Sequence, residues 1–353
     1  MTLLSRALSI LLVVLLAGTL AACGGIVPRN ASGDAKANQS LKQATVDRLK
    51  AIGSAPGDGT LIRIFKETSE LELWKRTASG TFKLFRTYEI CAWSGELGPK
   101  FKEGDRQAPE GFYTITPALM NPHSGFYLSF DTGFPNKFDR AHGRTGSNLM
   151  IHGDCSSRGC YSMTDESIAE IYGLMRETFK GGNSAVQLQI FPFRMTPANL
   201  ARHADSPHMS FWQNIKEGHD RFEIAKVPPT WDVCEKRYVF DVPRNGAQVI
   251  DAAGACPVGP RGSETLVAAL SAKQAADNAA MQTAVAALAA RQAAEAAAAD
   301  KAAAEQAALK ARGEAIGGFV GSIFGGGGNE AGADKVVDHT LVAPVPAARK
   351  ARS

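Results

Sequence analysis

The sequence has no C-x-x-C pair of the zinc or thioredoxin kind, no cluster of metal-ligating side chains and no glycine-rich phosphate loop. Neither a metal, a nucleotide nor another cofactor is therefore implied. It also lacks an excess of one charge: 39 Lys and Arg against 35 Asp and Glu leave a formal net charge of +4, which excludes a strongly basic nucleic-acid binder. Six cysteines, at 23, 91, 155, 160, 234 and 256, are too sparse in 353 residues for a disulfide scaffold. Neither apolar run, Leu8 to Leu16 or Phe319 to Phe324, is long enough to span a bilayer. What is present, 44% hydrophobic and 21% charged residues, is the composition of a globular chain able to bury a core.

The first 22 residues carry one charge, Arg6, then the apolar run and the small residues Ala17-Gly18-Thr19, the layout of a secretory leader. The leader ends in Leu20-Ala21-Ala22-Cys23, which resembles a bacterial lipoprotein box. That resemblance implies lipidation of Cys23 as the first mature residue. Gly24, where retention would call for Asp, implies an outer-membrane anchor. An ordinary cleaved leader is the alternative, and both place the chain in an oxidising periplasm.

Residues 23–59, rich in Gly, Ala, Ser, Asn and Lys without periodicity, read as a flexible tether. A packed domain is expected over 60–230. Its short runs Leu61 to Phe65, Leu71 to Trp74, Phe82 to Ile90, Phe112 to Thr116, Phe126 to Phe130, Leu149 to His152 and Val186 to Ile190 read as strands, mostly antiparallel. Ile168, Ile171, Tyr172, Met175 and Phe179 recur at helical spacing behind the cap Thr164-Asp165. Thr196-Pro197 opens another helix, and a third surrounds Phe211, Trp212 and Ile215.

Residues 231–262 form an extension, and 263–313 a helix: the stretch 264–312 is largely Ala with Lys, Gln, Glu and Arg and holds neither Pro nor Gly. Such a helix is roughly 70 Å long. Its apolar stripe of Leu266, Leu270, Met281, Val285, Leu288 and Leu309 is broken, so a coiled coil with self-association and a solvated spacer both remain open. Residues 314–353 read as a Gly-rich segment and tail, with Gly317, Gly321 and Gly325 in a small-xxx-small pattern.

Chemistry concentrates in Leu149-Met150-Ile151-His152-Gly153-Asp154-Cys155-Ser156-Ser157-Arg158-Gly159-Cys160-Tyr161. A thiol needs a base to become a thiolate; imidazole takes that proton near neutral pH, and glycine beside the nucleophile lets amides approach an oxyanion. A buried free thiol or a Cys155 to Cys160 disulfide fits the spacing too.

His-Gly followed by Ser-x-Gly-Cys resembles the signature of the YkuD-type L,D-transpeptidases, and the YafK-like branch in particular. Further blocks carry the likeness: Ile90-Cys91, Ser94 to Lys100, Pro109 to Tyr113, Met120-Asn121-Pro122, Asp139 to Ser147, and Phe191 to Thr196. The resemblance spans about residues 60 to 228 and implies a mainly β catalytic domain, a YkuD-like sandwich or barrel with short helices, beside the long Ala-rich helix. It implies an enzyme acting on peptidoglycan stem peptides, whose cysteine attacks the carbonyl at the L-centre of diaminopimelate and forms a thioester. Water would then give hydrolysis; an amine would give a cross-link or attach a lipoprotein. The YafK-like branch implies the hydrolytic direction, release of a wall-attached lipoprotein's lysine from diaminopimelate. A catalytically silent wall-binding scaffold is the reading of another class.

By the same resemblance Cys160 is the nucleophile, His152 the general base and acid, Gly159 with Cys160 the oxyanion amides, and Ser157 an orienting hydroxyl. Ser162 stands where many relatives carry an arginine that contacts the substrate carboxylate; Arg140, Arg144 or Arg158 is a candidate to replace it. His142 lies nearer the usual spacing from the cysteine and is the alternative base or a substrate contact. Cys234 and Cys256 suit a disulfide; Cys91 and Cys155 are buried thiols or a pair.

Overall fold

The structure is a computed structural model and describes residues 30–157, 159–243 and 249–324. The lipidation site Cys23, the leader, residue 158 and the tail beyond 324 lie outside the described residues. The chain divides into two units, Met1–Leu288 and Ala289–Ser353.

The elements of the first unit run α1 (Gly33–Ala37), α2 (Gln43–Ala51), β1 (Thr60–Phe65), β2 (Glu70–Arg76), β3 (Phe82–Glu89), β4 (Gly111–Ile115), β5 (Met120–Asn121), β6 (Ser129–Asp131), α3 (Lys137–Ala141), β7 (Met150–His152), β8 (Tyr161–Ser162), α4 (Asp165–Lys180), β9 (Val186–Phe191), α5 (Pro197–Arg202), α6 (Met209–Ala225), β10 (Trp231–Cys234) and β11 (Arg237–Phe240). A last helix, α7 (Glu264–Phe324), begins in this unit and continues into the second. Three sheets result, in the orders β3-β2-β1-β9-β4, β5-β6-β7-β8 and β10-β11. The core is β-rich, with short helices and the long C-terminal helix.

β1 is buried along its whole length because both sheet faces are covered. Ile62 and Ile64 join Leu71, Leu73, Phe130, Ile151, Tyr161 and the apolar face of α4 in one core. On the other face Phe65, Phe112 and Phe191 meet Trp212 and Ile215 of α6 and Tyr238 and Phe240 of β11. Burial on both faces also permits the parallel pair β1 with β9; β7 with β8 is parallel too, within a domain expected from sequence to be mostly antiparallel. α4 and α5 begin where their caps predict: Thr164 accepts from the Ser167 amide and Thr196 from the Asn199 amide.

Two segments differ from expectation. Residues 30–59, read as tether, are folded onto the domain: Leu49 is fully buried, Leu41 packs against the core, and Arg176 donates to the Ala37 and Gln39 carbonyls. Two leucines suffice as anchors, and they leave no periodicity for composition to reveal. The C-terminal helix continues past residue 313, through Gly313, Gly317 and Gly318. Once nucleated, an Ala-rich helix propagates at little cost per residue, and isolated glycines, about 1 kcal/mol each, do not stop it. Among the described residues no helix is long and apolar enough to cross a membrane.

The loop between β3 and β4 is held from beneath by Lys66. Its ammonium, fully buried, donates to the carbonyls of Glu96, Gly98 and Ala108 and to the Glu110 carboxylate at 3.0 Å. Glu110 also accepts from the Gly98 amide and the Trp212 indole. Removing one partner leaves a buried charge uncompensated, at a cost of about 3–5 kcal/mol. Lys66→Met is therefore expected to lower unfolding free energy by about that amount in urea titration; a loss below about 1 kcal/mol would show that the loop does not depend on the pair.

Candidate active site

The site is built on β6, β7 and β8. Antiparallel pairing sets Ser129 opposite His152, Phe130 opposite Ile151 and Asp131 opposite Met150, and parallel pairing sets Ile151 beside Tyr161 and His152 beside Ser162. Side chains alternate across a pleat, so Phe130, Ile151 and Tyr161 enter the core while Ser129, Asp131, Met150, His152 and Ser162 share the other face. Cys160 immediately precedes β8, and the Met150 amide points at its sulfur at 3.4 Å. The sulfur also donates to the Asn148 carbonyl at 3.7 Å, and continuing the β7–β8 register by alternation puts Cys160 beside Met150 on the face that carries His152.

His152 is almost completely buried, with its ring 4.7 Å from that of Phe126. Its Nδ1 lies 2.5 Å from the Gly153 carbonyl oxygen. A carbonyl only accepts, so Nδ1 carries the proton and Nε2 keeps its lone pair. Burial pushes the imidazole below its ordinary range, opposed by the Gly153 hydrogen bond and the Asp154 charge. Burial pushes the Cys160 thiol up, opposed by the Met150 amide; Asp131 raises it further and Lys100 lowers it. Both shifts favour the neutral form of the group concerned, thiol and imidazole alike.

The turn joining β7 to β8 doubles back within residues 153–160. Gly159 has φ 136°, a region disfavoured for a side chain, although a Cβ there would meet nothing nearer than Leu149 at 3.8 Å. Backbone conformation, and not space, calls for glycine. The Ser157 hydroxyl donates to the Cys160 carbonyl at 2.5 Å, accepts from the Gly159 amide at 3.3 Å and lies 3.2 Å from the Ser94 hydroxyl. Of the two expected oxyanion donors, the Gly159 amide is therefore engaged by Ser157, while the Cys160 amide has no partner among the described residues.

Two of the candidate carboxylate contacts, Arg144 and Arg140, are engaged elsewhere. The Arg144 guanidinium pairs with Asp139 at 2.9 Å and stacks on Phe101, Phe138 and Phe211. Arg140 donates to the Pro135 carbonyl. Arg158 lies outside the described residues. His142 caps α3, bonds the Lys236 carbonyl through Nε2 and packs on Phe138, whereas His152 ends β7, the strand paired with the one Cys160 precedes. Ser162 is buried, its hydroxyl donating to the Ala92 carbonyl. Disulfides join Cys91 to Cys155 and Cys234 to Cys256, leaving Cys160 as a free thiol. Among the described residues no three His, Cys, Asp or Glu stand together as a metal site.

Two charges near the thiol escape a sequence reading. Asp131 reaches the site through strand pairing with Met150, its carboxylate accepting from the Gly133 amide at 2.7 Å. Lys100 packs beneath Gly146, where a Cβ would come within 2.7 Å of its Cε, and is salt-bridged to Asp105. The Ser94 to Lys100 block held the only signal, and it carried no indication of which residue faced the thiol. Because Asp131 raises and Lys100 lowers the thiol's proton affinity, Asp131→Asn is expected to speed iodoacetamide capture of Cys160 at pH 7 and Lys100→Met to slow it. Mass-spectrometric alkylation rates check this; equal rates would show that neither charge acts on the thiol.

Residues 59–187 match the YkuD family, the L,D-transpeptidase catalytic domain. YafK of Escherichia coli (strain K12), whose own name gives L,D-transpeptidase as a provisional assignment, is 44% identical over 187 residues, covering 53% of this chain and 76% of YafK. Remoter likenesses link the chain to the helical cell shape determining protein Pgp2 from Campylobacter jejuni (21% identity, 42% of this chain and 56% of that one, TM-score 0.30) and to Bd1075 of Bdellovibrio bacteriovorus (21%, 46% and 60%, TM-score 0.27). With 44% identity over three quarters of YafK, and the matched residues enclosing both Cys160 and His152, the chain belongs to the YkuD L,D-transpeptidase catalytic-domain family.

Proposed function

We propose that this protein is a cysteine enzyme of peptidoglycan that cleaves the bond between the L-centre carbonyl of diaminopimelate and the lysine of a wall-attached protein, through a Cys160 thioester. The observation that carries the reading is the shared face of Cys160 and His152 in a YkuD domain. The hydrolytic direction rests on the YafK-like blocks of the sequence. Transpeptidation, the direction in YafK's own name, uses the same thioester and differs in whether an amine or water takes the acyl group.

In this mechanism His152 Nε2 takes the thiol proton as sulfur attacks the carbonyl carbon, and the Nδ1 bond to Gly153 orients the ring as it becomes charged. The Cys160 amide faces the developing oxyanion. Collapse expels the amine with the proton from His152, leaving the thioester. Water then gives its proton to His152 and attacks; the returning proton restores the thiol and frees the carboxylic acid. Ser157 acts here by holding the Cys160 carbonyl. The leader, lipidation at Cys23 and an outer-membrane anchor belong to the same proposal, since they place the enzyme beside the wall, and α7 offers either a spacer or a self-association surface.

Incubated with sacculi bearing attached lipoprotein, the purified chain is expected to release protein with a free lysine, and Cys160→Ala to release none. New diaminopimelate-to-diaminopimelate links would establish transpeptidation, and no Cys160-dependent product would overturn the enzymatic reading. Because the imidazole must be neutral and burial lowers its affinity for a proton, kcat/KM is expected to hold down to below pH 6.5 and fall as His152 becomes protonated. An acid limb centred above pH 6.5 contradicts His152 as the base.

A further inference from the structure

The β7–β8 connection is exceptional in its economy. Adjacent parallel strands are ordinarily joined by a dozen or more residues, usually including a helix. Here residues 153–160 make the return, because β7 and β8 are only three and two residues long. The cost appears in the backbone. Asp154 and Cys155 take φ of 69° and 28°, conformations costing about 1–3 kcal/mol each for residues with a side chain, and persisting only where surrounding structure over-determines them. Part of that structure is the start of α4: the Asp154 amide donates to the Asp165 carboxylate at 3.0 Å and the Cys155 amide to the Met163 carbonyl at 3.3 Å.

A second support is the segment 91–94. It lies along β8 as an extra edge, with the Cys91 amide donating to the Ser162 carbonyl and the Ser162 amide to the Ala92 carbonyl, both at 2.9 Å. Its near end is bonded covalently to the turn through Cys91–Cys155, and its far end reaches the turn through Ser94 and Ser157. Ser157 in turn holds the Cys160 carbonyl. The segment is itself fixed: the Ile90 amide donates to Ser69, the Trp93 indole to the Ser69 hydroxyl, and the Ala108 amide to the Ser94 carbonyl. A chain of contacts therefore runs from the packed loop at Ser69 and Ala108, through the cystine and the two serines, to the sulfur-bearing residue.

We propose that the Cys91–Cys155 disulfide is a positioning device for Cys160: closed, it fixes the nucleophile turn in its strained reactive shape, and opened, it lets the turn relax and turnover fall. The proposal rests on Cys160 as nucleophile. Opening is a reduction in which a dithiol gives two electrons and two protons to the cystine, yielding the Cys91 and Cys155 thiols, and is itself oxidised to a cyclic disulfide. The dependence has an unusual sign, since reductants normally preserve or raise the activity of a thiol enzyme. Misplacement of a reacting group by about 1 Å costs on the order of a hundredfold.

The test uses the full chain, with dithiothreitol titrated against kcat and KM on a diaminopimelate stem peptide and thiols mapped by peptide mass spectrometry. Opening of Cys91–Cys155 is expected to lower kcat about tenfold or more with KM within about twofold, with near-UV circular dichroism retained and activity restored by oxidised glutathione. The double variant Cys91→Ser/Cys155→Ser is expected to show the same low kcat without further response to reductant. Cys234→Ser/Cys256→Ser, which removes the distant bridge, is expected to keep wild-type kcat and remain sensitive. Ser94→Ala is expected to lower kcat in the oxidised enzyme and Ser94→Thr to restore it. If Cys91 and Cys155 are free thiols and kcat is unchanged or higher, or if activity is lost only together with the near-UV signal, the positioning role is overturned. Should the double serine variant not fold, the reduced wild type decides alone. Turnover by Cys160→Ala would instead refute the nucleophile assignment.

Discussion

Parallel pairing of β7 with β8 is the constraint on which the rest of the site depends. It places Cys160 beside Met150, and pleat alternation sends Ile151 and Tyr161 into the core while Met150, His152 and Ser162 stay on the other face. A slip of one residue in either strand would invert that arrangement. The register is held by burial, since Phe130, Ile151 and Tyr161 lie side by side across three strands in the main core. α4 starts directly after β8 behind its Thr164 cap and packs Ile168, Ile171 and Met175 on the same core, so the short strand that follows Cys160 is anchored at its far end.

Around this ladder, charge is distributed in two tiers. Deep beneath the β3–β4 loop, Lys66 and Glu110 are fully buried and joined to three carbonyls, an amide and the Trp212 indole, the degree of satisfaction that a buried pair requires. Nearer the thiol, Lys100 and Asp131 exert opposite influences on Cys160. Burial dominates the shifts of both Cys160 and His152, raising the thiol and lowering the imidazole, and so favours the neutral form of each. The loop that Lys66 secures is also the one that supplies Lys100 and, through Ser94, contacts the nucleophile turn. Stability of the domain and reactivity of the site thus share a support.

Sequence patterns recovered those parts of the molecule whose cause is local. Most strands appeared as short apolar runs between Gly and Pro, and α4 and α5 were announced by Thr164 and Thr196-Pro197. The reactive motif was visible because His-Gly and Ser-x-Gly-Cys are contiguous blocks. The choice between His152 and His142 was harder, since spacing favours one and strand context the other; the structure puts His152 in the ladder and ties His142 to the Lys236 carbonyl. Two folded helices over residues 33–51 were hidden in a composition that resembles a linker, because their anchorage comes from Leu41, Leu49 and the distant Arg176.

By itself, the sequence determined the candidate reactive groups and their order, the helix starts and the family, all of which are written in adjacent residues. Only the tertiary structure decided which cysteines pair, across 64 and 22 positions of chain, and that Asp131 and Lys100 come to the thiol while Arg140 and Arg144 are engaged elsewhere. The physical reason is the range of the contacts involved. Capping, turn conformation and amphipathic burial act over a few residues, whereas strand register, cystine pairing and the approach of distant charges exist only once the chain has folded back on itself.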